Sequence, residues 1–256
     1  MTWEVAPAAP ALGPRAVHVW RVPLVPSHAE VAALGETLSA DERTRAAKFY
    51  FERDRRAFTV ARGALRTVLG RYLGVPAAAI GFAYRARGKP YLATPGDRGL
   101  AFNLSHSGGF ALIAVARQRE LGVDVEQRRA IDDLVALAET SFSPREFEVF
   151  RALPRAQHVE AFFTCWSRKE AFIKATGEGV AQLADFDVTL RPGEPAQILW
   201  IRDTPAPHPW ALHELPAIAD HAAALVVARG APDNATDDVP DDVIDLACYR
   251  WSPLTS

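Results

Sequence analysis

At 256 residues with 49% hydrophobic content, the chain can bury a sizeable core in one domain or two modest ones, which excludes a disordered polypeptide. A formal net charge of −2 excludes strong overall attraction to nucleic acid or anionic lipid and leaves partners to be sought in local patches. Cys165 and Cys248 are too isolated for a disulfide framework or a zinc spacing, no stretch reaches the length of a membrane span, and the Ala/Pro-rich start lacks a signal-peptide pattern, so a reducing, cytoplasmic setting is expected.

In chain order, Val17–Val22 reads as a strand and Ala29–Leu38 as a helix, after which Ser39 is placed to cap the next. From Asp41 to Tyr72, Phe49, Phe58, Ala61, Leu65, Val68, Leu69 and Tyr72 recur at helical spacing and predict one long helix, ended by Gly74 and Pro76. Short strands surround Gly88-Lys89-Pro90. Leu100–His106 and Phe110–Ala116, joined by Gly108-Gly109, predict a β-hairpin. A second unit starts near Leu121, with helices over 131–140, 144–153 and 159–176, the last closed by Gly177 and Gly179. Strands follow at Phe186–Leu190, Ile198–Ile201, Trp210–Leu215 and His221–Val227. Pro232–Asp245 has a linker composition, and Leu246–Trp251 could dock as an ordered end. The halves share an order of elements without a residue-by-residue repeat. The division expected is 1–118, 119–230 and a tail, 231–256.

The chemistry begins at Leu121-Gly122-Val123-Asp124-Val125-Glu126. With Val123 and Val125 facing a core, Asp124 and Glu126 share the other face of the strand. In Trp166-Ser167-Arg168-Lys169-Glu170-Ala171-Phe172-Ile173-Lys174, Glu170 lies one turn beyond Trp166, on or beside an apolar stripe. Three convergent acids suggest magnesium acting on phosphate, since that ion takes oxygen ligands and bridges carboxylates to phosphate oxygens. The plain alternatives are a solvated strand face for Asp124 and Glu126, and for Glu170 with Lys174 an exposed helical pair contributing about 0.2–0.5 kcal/mol. Phe162, Phe163, Trp166, Phe172 and Ile173 leave that helix little room for a solvated side. An inward Glu170 then requires a cationic partner.

Asn103 and Ser105 alternate with Phe102 and Leu104, which gathers polar groups beside His106 at the hairpin's end, either to hold an oxyanion or merely to satisfy a tight turn. Lys89, between Gly88 and Pro90, could present a fixed ammonium to phosphate. Arg43, Arg45, Arg53, Arg55, Arg56, Arg62 and Arg66 read mostly as a solvated helical face, from which one or two could clamp a phosphate.

Taken in order, Gly88-Lys89-Pro90, Asn103-Leu104-Ser105-His106-Ser107, Gly122-Val123-Asp124-Val125-Glu126 and Trp166-Ser167-Arg168-Lys169-Glu170-Ala171 resemble the motifs of the 4′-phosphopantetheinyl transferases, in the larger class that activates peptide and polyketide synthetases. The resemblance spans Val17 to Val227. It implies an α+β pseudo-dimer of two similar subdomains, each a small, mainly antiparallel sheet packed on a long helix, with the active site in the cleft between them. It places magnesium on Asp124, Glu126 and Glu170. It places coenzyme A on Arg45, on Arg87, Gly88, Lys89 and Pro90, on Asn103, Ser105 and His106, and on Lys174. The implied reaction is attack by a carrier-protein serine on the β-phosphate of coenzyme A. Lys174 and His106 would stabilise charge, with Glu170 as base directly or through a relaying water.

One departure is Glu42, an acid near a position where some members carry a second basic residue; cofactor affinity is the property it would touch. The implied partners are coenzyme A and an apo acyl or peptidyl carrier protein, with no nucleic acid or membrane, and the protein is expected to be a monomer. Phe142, Phe147, Val149, Phe150 and Leu153 are candidates for the carrier's docking surface or for plain core. Two other readings remain: a non-catalytic binder of coenzyme A or nucleotides, and a nucleic-acid module built on the arginine-rich helix, against which the interleaved acids argue.

Overall fold

The structure is a computed structural model describing residues 1–93, 99–178, 180–206, 208–230 and 244–252. It begins with β1 (Glu4–Val5) and β2 (Ala16–Pro23), then α1 (His28–Glu36), α2 (Ala40–Ala47) and α3 (Glu52–Leu73). Ser27 and Ser39 open α1 and α2 with capping boxes closed by Glu30 and Glu42. The single helix expected over Asp41–Tyr72 is therefore two. Phe51 stands extended at φ −91° and ψ 133°, and the break lets α2 fold back so that Glu42 meets α3. There Arg62 Nε donates to Glu42 at 2.8 Å and Arg66 Nε at 2.6 Å. All three side chains are buried, so Arg62 and Arg66 belong to an internal ion cluster rather than to a solvated face. Gly74 ends α3 at φ +69°, the left-handed cap that glycine adopts without strain.

A two-stranded ribbon, β3 (Phe82–Tyr84) and β4 (Pro90–Leu92), precedes the hairpin β5 (Leu100–Ser107) and β6 (Phe110–Arg117). The second half contains β7 (Leu121–Gln127), α4 (Leu134–Ser141), α5 (Pro144–Arg151) and α6 (His158–Thr176). After them come β8 (Phe186–Val188), β9 (Ile198–Ile201), β10 (Trp210–Glu214) and β11 (His221–Ala228), and finally β12 (Asp245–Arg250). Gly179 and residues 231–243 lie outside the described residues.

Two main sheets result, in the orders β1-β12-β2-β6-β5 and β10-β11-β7. The second is antiparallel, and in the first the pairs β2–β6 and β6–β5 are antiparallel while β12 runs parallel to β1 and β2. The end at Leu246–Trp251 thus docks as an inner strand, with Trp251 buried in the first core.

The alternation of apolar residues gives the first sheet two covered faces. Trp20, Val22, Ile113 and Val115 pack with Val60, Leu65, Val68 and Leu69 of α3. Val17, Val19, Leu112 and Ala114 face Val123, Val125, Leu225 and Val227 of the second sheet. On that sheet's other face lies α6, so close that a Cβ on Gly122 would overlap backbone atoms of Ala171 and Ala175. Phe142 and Phe150 are buried there with Phe162, Phe163 and Phe172, and Phe147, Val149 and Leu153 pack against the same cluster. Phe142 and Phe150 are thus core, while Phe147, Val149 and Leu153 are only partly buried.

Candidate active site

β7 is buried on both faces: Val123 and Val125 point into the core between the sheets, while Asp124 and Glu126 point toward α6. β5 runs alongside without a backbone ladder, and its alternate side chains make the connection instead. Asn103 Oδ1 accepts from Val123 N at 3.0 Å, Ser105 Oγ donates to Asp124 Oδ1 at 2.7 Å, and Ser107 Oγ donates to Glu126 Oε2 at 2.8 Å while accepting from Gln127 N at 3.1 Å. Asn103 and Ser105 are buried in this seam, their polar groups turned toward β7.

From α6, Lys174 Nζ reaches Ser105 Oγ at 2.9 Å and Asp124 Oδ1 at 2.5 Å. Asp124 is 1% exposed, and its second oxygen, Oδ2, is buried without a protein partner. Burial pushes the Glu170 carboxyl up; Lys174 counters this and the Asp124 and Glu126 charges add to it. Glu126 is likewise raised, by burial and then by Asp124, against Ser107, Lys174 and a hydrogen bond from the Trp166 side chain. The four groups of the sequence expectation, Asp124, Glu126, Glu170 and Lys174, therefore share one field. Three carboxylates beside one ammonium leave an excess of negative charge that favours a further cation.

The donors suit magnesium, because all are hard oxygens and one buried carboxylate oxygen lacks a partner. Among the described residues no three acid, histidine or cysteine side chains are gathered into a ready metal cage. Asp124, Glu126 and Glu170 thus share a field without forming a closed protein cage, and a magnesium ion there would need phosphate or water oxygens to complete its shell.

His106 projects to the other side of β5 and is exposed. Its packed surroundings, then the Lys174 and Arg45 charges, lower its imidazole below the ordinary value, with Asp54 opposing. Arg45 thus stands in the same field as His106 and Lys174, its guanidinium 5.4 Å from the centre of the Phe58 ring. Glu42, the departure noted in the sequence, is ion-paired with Arg62 and Arg66.

The turn from Arg85 to Pro90 departs most from expectation. Gly88 takes φ +85°, Arg85 N donates to Lys89 O at 2.9 Å, and Pro90 opens β4. Lys89 Nζ is engaged by protein acceptors: Glu120 Oε2 at 2.7 Å, Ala175 O at 2.7 Å and Leu121 O at 3.4 Å. Arg87 donates to Glu178 O. Sequence reasoning missed Glu120 and the tie from Trp166 to Glu126. It also passed over Ser107, although Ser107 continues the alternation of Asn103 and Ser105.

Two family models match. One described as the 4′-phosphopantetheinyl transferase superfamily covers residues 120–226, and one described as 4′-phosphopantetheinyl transferase, N-terminal, covers residues 22–118. The chain is 45% identical over 231 residues to a Nostoc protein named 4′-phosphopantetheinyl transferase HetI, spanning 89% of this chain and 94% of the relative. A Bacillus subtilis 4′-phosphopantetheinyl transferase is 32% identical over 155 residues, 60% of this chain and 67% of its own. The human L-aminoadipate-semialdehyde dehydrogenase-phosphopantetheinyl transferase is 28% identical over 177 residues, 64% of this chain and 57% of its own.

Proposed function

The chain belongs to the 4′-phosphopantetheinyl transferase superfamily, and from that premise we infer how its own residues carry out the reaction. It is a transferase that moves the 4′-phosphopantetheine arm of coenzyme A onto a serine of an apo carrier protein. The non-catalytic binder is not favoured, because the relatives are named as transferases. The observation that carries the assignment of residues is the junction of Asp124, Ser105 and Lys174, with Glu126 and Glu170 in the same field.

In the reaction the carrier serine oxygen attacks the β-phosphorus of coenzyme A. Its bond to the bridging diphosphate oxygen breaks, and adenosine 3′,5′-bisphosphate leaves. Glu170 takes the serine proton, directly or through a relaying water. Lys174 holds positive charge beside the diphosphate. His106, uncharged near neutrality, offers an N–H and no repulsion to the adjacent cations. Asp124, Glu126 and Glu170 would hold magnesium. Bound there, the ion neutralises and orients phosphate oxygens.

Arg45 would meet the 3′-phosphate, and the Arg87–Pro90 turn would meet the adenine through its backbone and the stem of Lys89. Asn103 and Ser105 would act near the phosphates by fixing β5 against β7. Residues 1–118 and 119–230 would form two similar subdomains facing across this cleft, a division supported by the adjoining family matches. The protein would act as a cytoplasmic monomer without nucleic acid or membrane; among the described residues no helix is long and apolar enough to cross a bilayer.

The test is to incubate the protein with coenzyme A, magnesium and an apo carrier protein, and to follow the carrier by mass spectrometry. Addition of one phosphopantetheine group per acceptor serine is expected. Absence of the adduct across acyl and peptidyl carriers would overturn the assignment.

A further inference from the structure

An α-helix leaves its last carbonyls without internal donors, and they attract cations because the helix dipole is negative there. At the end of α6, Gly177 N donates to Ile173 O at 2.8 Å, but Ala175 O is met from the turn between β3 and β4 by Lys89 Nζ at 2.7 Å. The Lys89 side chain is only 10% exposed. Its ammonium also grips Glu120 Oε2, and the other oxygen of Glu120 accepts from Arg85 Nη2 at 2.6 Å. Both oxygens of Glu120 thus hold the ends of one turn, and that turn caps α6. Lys174, which reaches Asp124, immediately precedes the capped residue.

We propose that Glu120 is a positioning residue: through Lys89 it fixes the last turn of α6 and so sets the reach of Lys174 into the site. This rests on the transfer reaction inferred above and gives Lys89 a different task from that of a phosphate ligand. Without Glu120 the Lys89 ammonium loses its ionic partner, the cap on Ala175 loosens, and Lys174 samples positions away from Asp124. A displacement of that kind near reacting atoms lowers turnover steeply.

The experiment compares wild type with Glu120→Gln, Lys89→Met, Lys89→Arg and the Glu120→Gln/Lys89→Met double variant, using coenzyme A, magnesium and an apo carrier. Melting temperatures confirm that each is folded at the assay temperature. Glu120→Gln and Lys89→Met are each expected to lower kcat about tenfold with KM for coenzyme A changed less than about twofold. The double variant falls no further than the worse single one, since both act through one contact, and Lys89→Arg recovers most of the rate. Normal kcat in Glu120→Gln, or a Lys89→Met effect confined to KM for coenzyme A, overturns the proposal. Hydrogen exchange of the amides at 173–177 without substrates gives an independent reading: faster exchange in Glu120→Gln supports the latch, and unchanged exchange overturns it. A wild-type protein that transfers nothing would instead overturn the functional reading.

Discussion

Replacing Asp124 by alanine deletes the acceptor shared by Ser105 and Lys174 and removes the unpartnered oxygen that suits a metal. Lys174 keeps 27% of its side chain exposed, so water can solvate the freed ammonium. Stability should therefore fall by only about 1–2 kcal/mol, while transfer falls by about a hundredfold or more. Thermal melts beside carrier-modification rates check this; near-normal turnover would remove Asp124 from the site. A second residue governs pH response away from the chemistry. Burial lowers His18 to about 4, and it is held by Tyr72 at 2.7 Å, whose hydroxyl also accepts from Trp20 Nε1 at 2.9 Å. As pH falls, the unfolded chain takes up this proton first. Folding stability should thus decline from about pH 6.5 to about pH 4, by roughly 3 kcal/mol in all, and be indifferent to this group above that window. Denaturant titrations across the range should show a shallower decline for His18→Gln.

At the scale of elements, legibility followed the range of the interactions. The hairpin of β5 and β6, the alternation of β7 and the cap of α3 are local patterns, and they were readable. The break between α2 and α3 was not, because Phe49 keeps the helical spacing of the apolar positions. What ends α2 is a gain made elsewhere, the meeting of Glu42 with Arg62 and Arg66. The acids of β7 and α6 were legible as chemistry. The partners of Asn103, Ser105 and Lys89 lie on other elements, and no spacing along the chain reveals them. The ion cluster also carries a prediction. Glu42→Gln leaves buried guanidinium groups without their counter-charge and should cost about 3–5 kcal/mol, read as a lower denaturation midpoint. Burial opposes ionisation of Glu42, but Arg62, the Ser39 N–H and Arg66 together hold its carboxyl below the ordinary value. Its contribution is therefore complete above the ordinary carboxylate range and is lost as pH falls through the lowered value.

For the whole molecule, the placement of β12 ties distant parts of the chain into one sheet. Ending the chain after Gly230 would remove an inner strand, leave β1 without a partner, open one edge of β2 and expose the core that Trp251 covers. The truncated protein should aggregate or melt well below the full chain, measured by light scattering and circular dichroism; an unchanged melting temperature would show β12 to be dispensable. The boundary between β5 and β7 has the opposite character. Backbone pairing there would fuse the two main sheets into one stiff surface, with strands about 4.7–4.9 Å apart. Because the contact is instead made by an amide and two hydroxyls, each link rests on one side chain and can be severed by a single substitution that leaves both ladders paired.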